Sequence, residues 1–229
     1  SHVIAPKWPF RPHAGFDADR RHLSRAARPF LPDLLPGYSI YVWLDADIWV
    51  QHALGLRWLI EAAARADIAA VPAIHRAYTF RARDMAWLFE RYRMALGEGL
   101  ARELVTLPYV NAGVFAVRAG SPLWRAYADR FQAALDRWEG SFLSDQAVVN
   151  ATIHLDRMKL QRLPARANWI CHLALPVWNA QKRELAEPAL PYARAFQRAL
   201  SPLGVLPGPN TADGGADVSD MKAAGVPVV

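Results

Sequence analysis

Two carboxylates one residue apart, Asp45 and Asp47, close the apolar run Tyr38-Ser-Ile-Tyr-Val-Trp-Leu-Asp-Ala-Asp-Ile-Trp-Val50. Along that run Ile40, Val42 and Leu44 share one face of a strand, and Tyr41 and Trp43 share the other. A strand apolar on both faces belongs to a parallel sheet covered by helices on each side. In such sheets ligands bind just beyond the carboxyl ends of the strands. Two acids at that edge can hold a hard divalent cation, and the cation can clamp a diphosphate. An Asp-x-Asp pair also occurs as a turn cap with a solvated neighbour, so its meaning depends on what the rest of the chain brings to it.

Other reactive side chains offer less. His75, His154 and His172 lack ligand spacing and read as structural. Cys171 is the single cysteine, so no internal disulfide can form, and without a His or Asn partner at a recognisable spacing it reads as a buried, inert thiol. Glu61, Glu90 and Glu103 fall on helix surfaces and read as solvated. Trp169 could stack on a sugar or base, although with nine tryptophans in the chain burial is the default.

The elements that must position these groups follow from the pattern of the chain. Its 229 residues suit one large α/β domain, or one domain with an appendage. With 53% hydrophobic and 21% charged residues the composition is that of a globular protein. No apolar stretch approaches the roughly 20 residues a spanning helix needs. The absence of a leader and of disulfides predicts a cytoplasmic protein, with peripheral membrane attachment as a further expectation. The net charge is +6, and only Lys7, Lys159, Lys182 and Lys222 among the basic residues are lysines. The arginines are scattered, with no stripe or nucleic-acid motif, so a nucleic-acid partner is not expected. A basic field also suits an anionic small substrate.

Residues 1–37 read as loop and short helix. The spacing predicts a helix from His52 to Ala66 and a short strand over 67–72. A helical stretch over 83–104 is broken at Gly97 and Gly99. Tyr109-Val-Asn-Ala-Gly-Val-Phe-Ala-Val117 is a third apolar strand. Ser121-Pro122 opens a helix reaching about Trp138, and Ser144 caps another that carries Asp145, Gln146 and Asn150. This alternation predicts a parallel or mixed sheet. From about residue 187 the character changes: 191–200 could form an amphipathic helix, and 206–217 is loop-like.

Three segments occur in a particular order: Tyr41-Val-Trp-Leu-Asp-Ala-Asp-Ile-Trp-Val50, Val110-Asn-Ala-Gly-Val-Phe-Ala-Val117 and Leu143-Ser-Asp-Gln-Ala-Val-Val-Asn150. Together they resemble the GT-A-fold glycosyltransferases, in the branch of glycogenin-like and bacterial lipopolysaccharide galactosyl- and glucosyltransferases. Asn168-Trp-Ile-Cys-His172 and Pro176-Val-Trp-Asn179 resemble the closing part of bacterial members. The resemblance covers about residues 1–189. It implies an α/β GT-A fold, a mostly parallel sheet flanked by helices.

The activity it implies is transfer of a sugar from a nucleotide-diphosphate sugar, a UDP-sugar above all, to a hydroxyl of a glycan or lipid-linked acceptor, with retention. By the same resemblance Asp45 and Asp47 hold Mn²⁺ or Mg²⁺. Asn111, Ala112 and Gly113 line the sugar and acceptor pocket, with Asn150 and Trp169 as further substrate contacts. Asp145 and Gln146 are the catalytic pair beside the donor sugar. Gln146 is a poor nucleophile, which favours same-face attack assisted by the departing phosphate. Taken without the family, Gly113 reads equally as a packing glycine and Asp145 as a helix N-terminal charge.

The chain departs from the family in two places. The first strand, which holds the nucleotide base, finds no counterpart in the Pro- and Arg-rich opening. No His-x-x-Gly-x-x-Lys-like segment follows Pro188. Instead 190–204, with Gly214-Gly-Ala-Asp-Val-Ser219, resembles a short stretch of zinc-dependent M28-type aminopeptidases. That family's ligand set is lacking, so 190–229 is expected to be a catalytically idle tail.

Overall fold

A computed structural model describes residues 6–11, 20–137 and 144–188. The chain falls into two compact units, Ser1–Ile74 with Phe80–Asn168, and His75–Thr79 with Trp169–Val229. The later boundary between the units falls between Asn168 and Trp169. The tail at 190–229 and the helix expected over 191–200 lie outside the described residues.

In the first unit the opening residues form α1 (Arg20–Ala26), a 3-10 turn (Arg28–Phe30) and α2 (Leu31–Leu34). There follow β1 (Ile40–Leu44), α3 (Ala53–Ala63), β2 (Ile68–Pro72), α4 (Ala82–Leu96), α5 (Glu98–Leu104), β3 (Val110–Arg118), α6 (Leu123–Asp136), α7 (Asp145–Leu155) and β4 (Leu160–Arg162). The strands form one sheet in the order β1-β3-β2-β4. Strand β3 runs antiparallel to both β1 and β2, while β2 and β4 are parallel. The expected mostly parallel sheet is therefore mixed. The reason is physical: an apolar run such as 109–117 reports burial on both faces, and burial is the same whichever way the strand runs.

Strand alternation divides the core in two. Tyr41, Ile68, Ala70, Phe115 and Val117 face the thick layer, where Leu88, Tyr92, Leu104, Tyr127, Phe131 and Val148 of α4 to α7 are buried. Ala69, Val114 and Ala116 face the thin layer and meet Leu59, Ala62 and Ala63 of α3. Both faces of β1 are packed as its sequence predicts, but of its residues only Tyr41 is buried, because β1 ends the sheet. Helices α4 and α5 are separated at Gly97, whose φ of 88° lies where a side chain would be strained. Ser144 caps α7, its Oγ accepting from the Ala147 N–H at 3.3 Å.

The second unit contributes β5 (Val177–Asn179) and β6 (Glu184–Ala186), an antiparallel pair. Among the described residues no helix is long and apolar enough to cross a membrane.

Candidate functional site

Strand β1 delivers Asp45 to the end of the sheet. The Asp45 N–H donates to the Gly113 carbonyl at 2.8 Å, carrying the β1–β3 ladder one step past Leu44. The chain then turns, the Ile48 N–H donating to the Asp45 carbonyl at 3.0 Å, and Asp47 stands exposed on that turn. One oxygen of Asp45, Oδ1, accepts from Trp43 Nε1 at 2.7 Å and from Arg28 Nη2 at 2.6 Å.

Arg28 is the centre of the arrangement. It sits on the 3-10 turn after α1, is only 6% exposed, and reaches three elements. Its Nη1 donates to Asp145 Oδ2 at the start of α7 and to the Ala112 carbonyl at 3.2 Å. Its Nη2 takes Asp45, and its planar head lies 4.6 Å from the Trp43 ring centroid. Arg25 of α1 adds a second cation, 3.7 Å from Asp145 Oδ1. The Tyr127 hydroxyl is buried against the same guanidinium, and neither that hydroxyl nor Arg28 Nε completes a hydrogen bond of normal geometry. Burial, then the nearby Asp145 charge, raises the Tyr127 phenol well above its ordinary value, so it stays neutral.

The loop-side end of β3 packs against this cluster. A Cβ at Gly113 would lie 2.9 Å from Asn111 Oδ1 and 3.0 Å from Asp45 Oδ2, so glycine is what lets both polar groups close on the backbone. Asn111 Oδ1 accepts from the Gly113 N–H at 2.8 Å and from Asn168 Nδ2 at 3.3 Å. Segments far apart in sequence thus converge here: Asp45, Asn111 to Gly113, Asp145 and Asn168.

The other expected residues divide. Gln146 is half-buried, and its side-chain amide makes no hydrogen bond among the described residues. Ala112 is buried and takes part through its carbonyl alone. Asn150, expected as a substrate contact, is a brace instead. It is fully buried, its Oδ1 accepts from the Val110 N–H, and its Nδ2 donates to the Val110 and Gln146 carbonyls, each at 2.8 Å. Those bonds use both amide hydrogens and pin the start of β3 to α7.

Trp169 belongs to the second unit. There its Nε1 donates to the Ala174 carbonyl at 2.8 Å, and its ring packs 4.9 Å from those of His75 and Tyr78. His75 also pairs with Glu187 at 3.1 Å, in keeping with a structural role. Cys171 was expected to be buried and is exposed: in the turn over 171–173 its neighbour Ile170 takes the inward position.

Among the described residues no group of three or more His, Cys, Asp or Glu side chains converges on one point. The donors on offer are Asp45 Oδ2 and both oxygens of Asp47, none of which accepts a hydrogen bond among the described residues. Hard carboxylate oxygens suit Mg²⁺ or Mn²⁺, and Mg²⁺ commonly takes only one or two carboxylates with phosphate and water completing the shell. The residues fit such an ion as a partial ligand set.

Arg28 is a site residue that the acidic motifs alone do not point to. Its signal was available: a lone cation inside Ala26-Ala27-Arg28-Pro29-Phe30-Leu31, where an apolar frame leaves a charge nowhere to go but inward to a partner.

No protein-family model, no curated protein and no solved structure matches the chain. What the fold defines is an α/β class with a central sheet flanked by helices.

Proposed function

We propose that the first unit is a glycosyltransferase domain of the GT-A kind, taking a UDP-sugar and moving its sugar to a hydroxyl of a glycan or lipid-linked acceptor. The observation that carries this reading is Arg28 joining Asp45, the Ala112 carbonyl and Asp145, with Gly113 packed against both Asp45 and Asn111. The three segments that resemble the family, scattered in sequence, share one end of the sheet, where α/β proteins bind ligands.

In this reading Asp45 and Asp47 hold Mn²⁺ or Mg²⁺, which when bound neutralises the oxygens of the diphosphate leaving group. The bond from the anomeric carbon to the phosphate oxygen breaks, and its electron pair leaves with the diphosphate. The acceptor oxygen bonds the same carbon on the same face, and its proton passes to the departing phosphate. Gln146, whose amide is free of partners among the described residues, orients the sugar. Asn111 and Gly113 let the ligand approach the backbone of β3. Asn150 holds α7 and β3 in register, which fixes Gln146 relative to Asn111.

A second reading has its own support. Asp145 is 6% exposed and tied to Arg28, which favours a structural carboxylate and a module that binds nucleotide-sugar and metal without transfer. One experiment addresses both. Calorimetric titration of UDP with and without Mn²⁺ should show metal-dependent binding that Asp45→Ala/Asp47→Ala removes. Sugar release from a panel of UDP-sugars then separates transferase from binder. Metal-independent binding, or binding untouched by the double substitution, overturns both readings.

A further inference from the structure

The Arg28 guanidinium stands where a divalent cation at Asp45 would feel it most. Its Nη2 lies 2.6 Å from Asp45 Oδ1, on the carboxylate whose other oxygen is the first candidate ligand. Burial keeps that charge poorly screened, since Arg28 is 6% exposed. The charges are unevenly shared. Asp145 faces both Arg28 and Arg25, whereas among the described residues Asp45 faces Arg28 alone. Arg28 is also unable to withdraw easily, being held by Asp145, the Ala112 carbonyl and the Trp43 ring.

We propose that Arg28 is a resident counter-ion that competes with a divalent cation for Asp45, so that the bare ion binds weakly. The inference rests on reading Asp45 and Asp47 as cation ligands. A fixed positive charge on one oxygen of a carboxylate repels a second cation on the other and withdraws electron density from it. A diphosphate relieves both effects, because its negative charge offsets Arg28 while its oxygens complete the shell of the ion. Cation and diphosphate then strengthen each other's binding by the same factor. On this account Arg28 keeps Asp45 ordered until both ligands are present.

The test is Mn²⁺ binding in the absence of nucleotide, followed by electron paramagnetic resonance of the free ion, on the full chain. Arg28→Met should bind bare Mn²⁺ about tenfold more tightly than wild type, the scale of one nearby charge at a partly screened site. Asp145→Asn keeps the shape of the side chain and leaves more of the Arg28 charge on Asp45, so it should bind Mn²⁺ about threefold more weakly. Near-ultraviolet circular dichroism confirms folding of each variant. A folded Arg28→Met protein that binds bare Mn²⁺ no more tightly overturns the proposal. If Arg28→Met does not fold, Asp145→Asn decides alone: unchanged or tighter binding overturns it. Failure of the nucleotide reading looks different, with Mn²⁺ affinities following Arg28 as stated while UDP adds nothing in wild type.

Discussion

Arg28 and Arg130 each tie one element of the sheet unit to another, and they leave opposite amounts of charge unspent. Arg130 of α6 meets Asp156 at the end of α7 in a two-pronged pair, 2.6 Å and 2.5 Å, so one cation is matched to one carboxylate. Arg28 serves two carboxylates and a carbonyl and still has Nε without a partner. A matched pair with both carboxylate oxygens occupied is a staple. A shared guanidinium leaves Asp45 Oδ2 and the neighbouring Asp47 with acceptor capacity that nothing among the described residues uses. Unspent acidic capacity at the end of a sheet is what a cation or a cation-bound ligand would recognise.

The largest effect that sharpens the contrast should come from Asp145→Ala. Removing one partner of the buried pair strands much of the Arg28 charge, and such losses run about 3–5 kcal/mol. Urea unfolding should show this, and Asp145→Asn, which keeps a hydrogen-bond acceptor, should lose less. Next is Gly113→Ala. The added methyl would press on Asn111 Oδ1 and Asp45 Oδ2, and overpacking of this kind costs about 1–3 kcal/mol. It should also weaken metal-dependent UDP binding, because the carboxylate must move to admit the methyl.

Arg130→Ala is the control for a staple. Its pair is partly exposed, so the loss should be about 1 kcal/mol or less. UDP titration of that variant should match wild type, and any loss of binding would erase the distinction between the two arginines.

A separate test is the response to alkali, whose size grows with every pH unit above 10. Burial raises the phenols of Tyr92, Tyr109 and Tyr127 above the ordinary 10.0. A raised folded-state value means the stabilisation is fully present below pH 10 and is lost as pH rises towards the folded values. Urea midpoints should therefore hold steady up to about pH 10 and fall above it.

Much of this was legible in the sequence. The apolar alternation of 38–44 placed Ile40 and Val42 on one face and Tyr41 and Trp43 on the other, as the two core clusters do. Gly97 marked the break between α4 and α5, and Ser144 the start of α7. The sense of β3 was not legible, because periodicity carries burial and not direction. Asn150 could not be told from a ligand contact, since an amide that braces two backbone groups and one that binds a sugar have the same side chain. Arg28 was not legible from the spacing of the acids, because a buried carboxylate needs a cation that can come from anywhere in the chain.

The most direct test of the central claim is the calorimetric titration of UDP with and without Mn²⁺, on wild type and on Asp45→Ala/Asp47→Ala. The account predicts binding that requires Mn²⁺ in wild type and is absent from the folded double variant. Equal binding with and without the ion, or equal binding by both proteins, would contradict it.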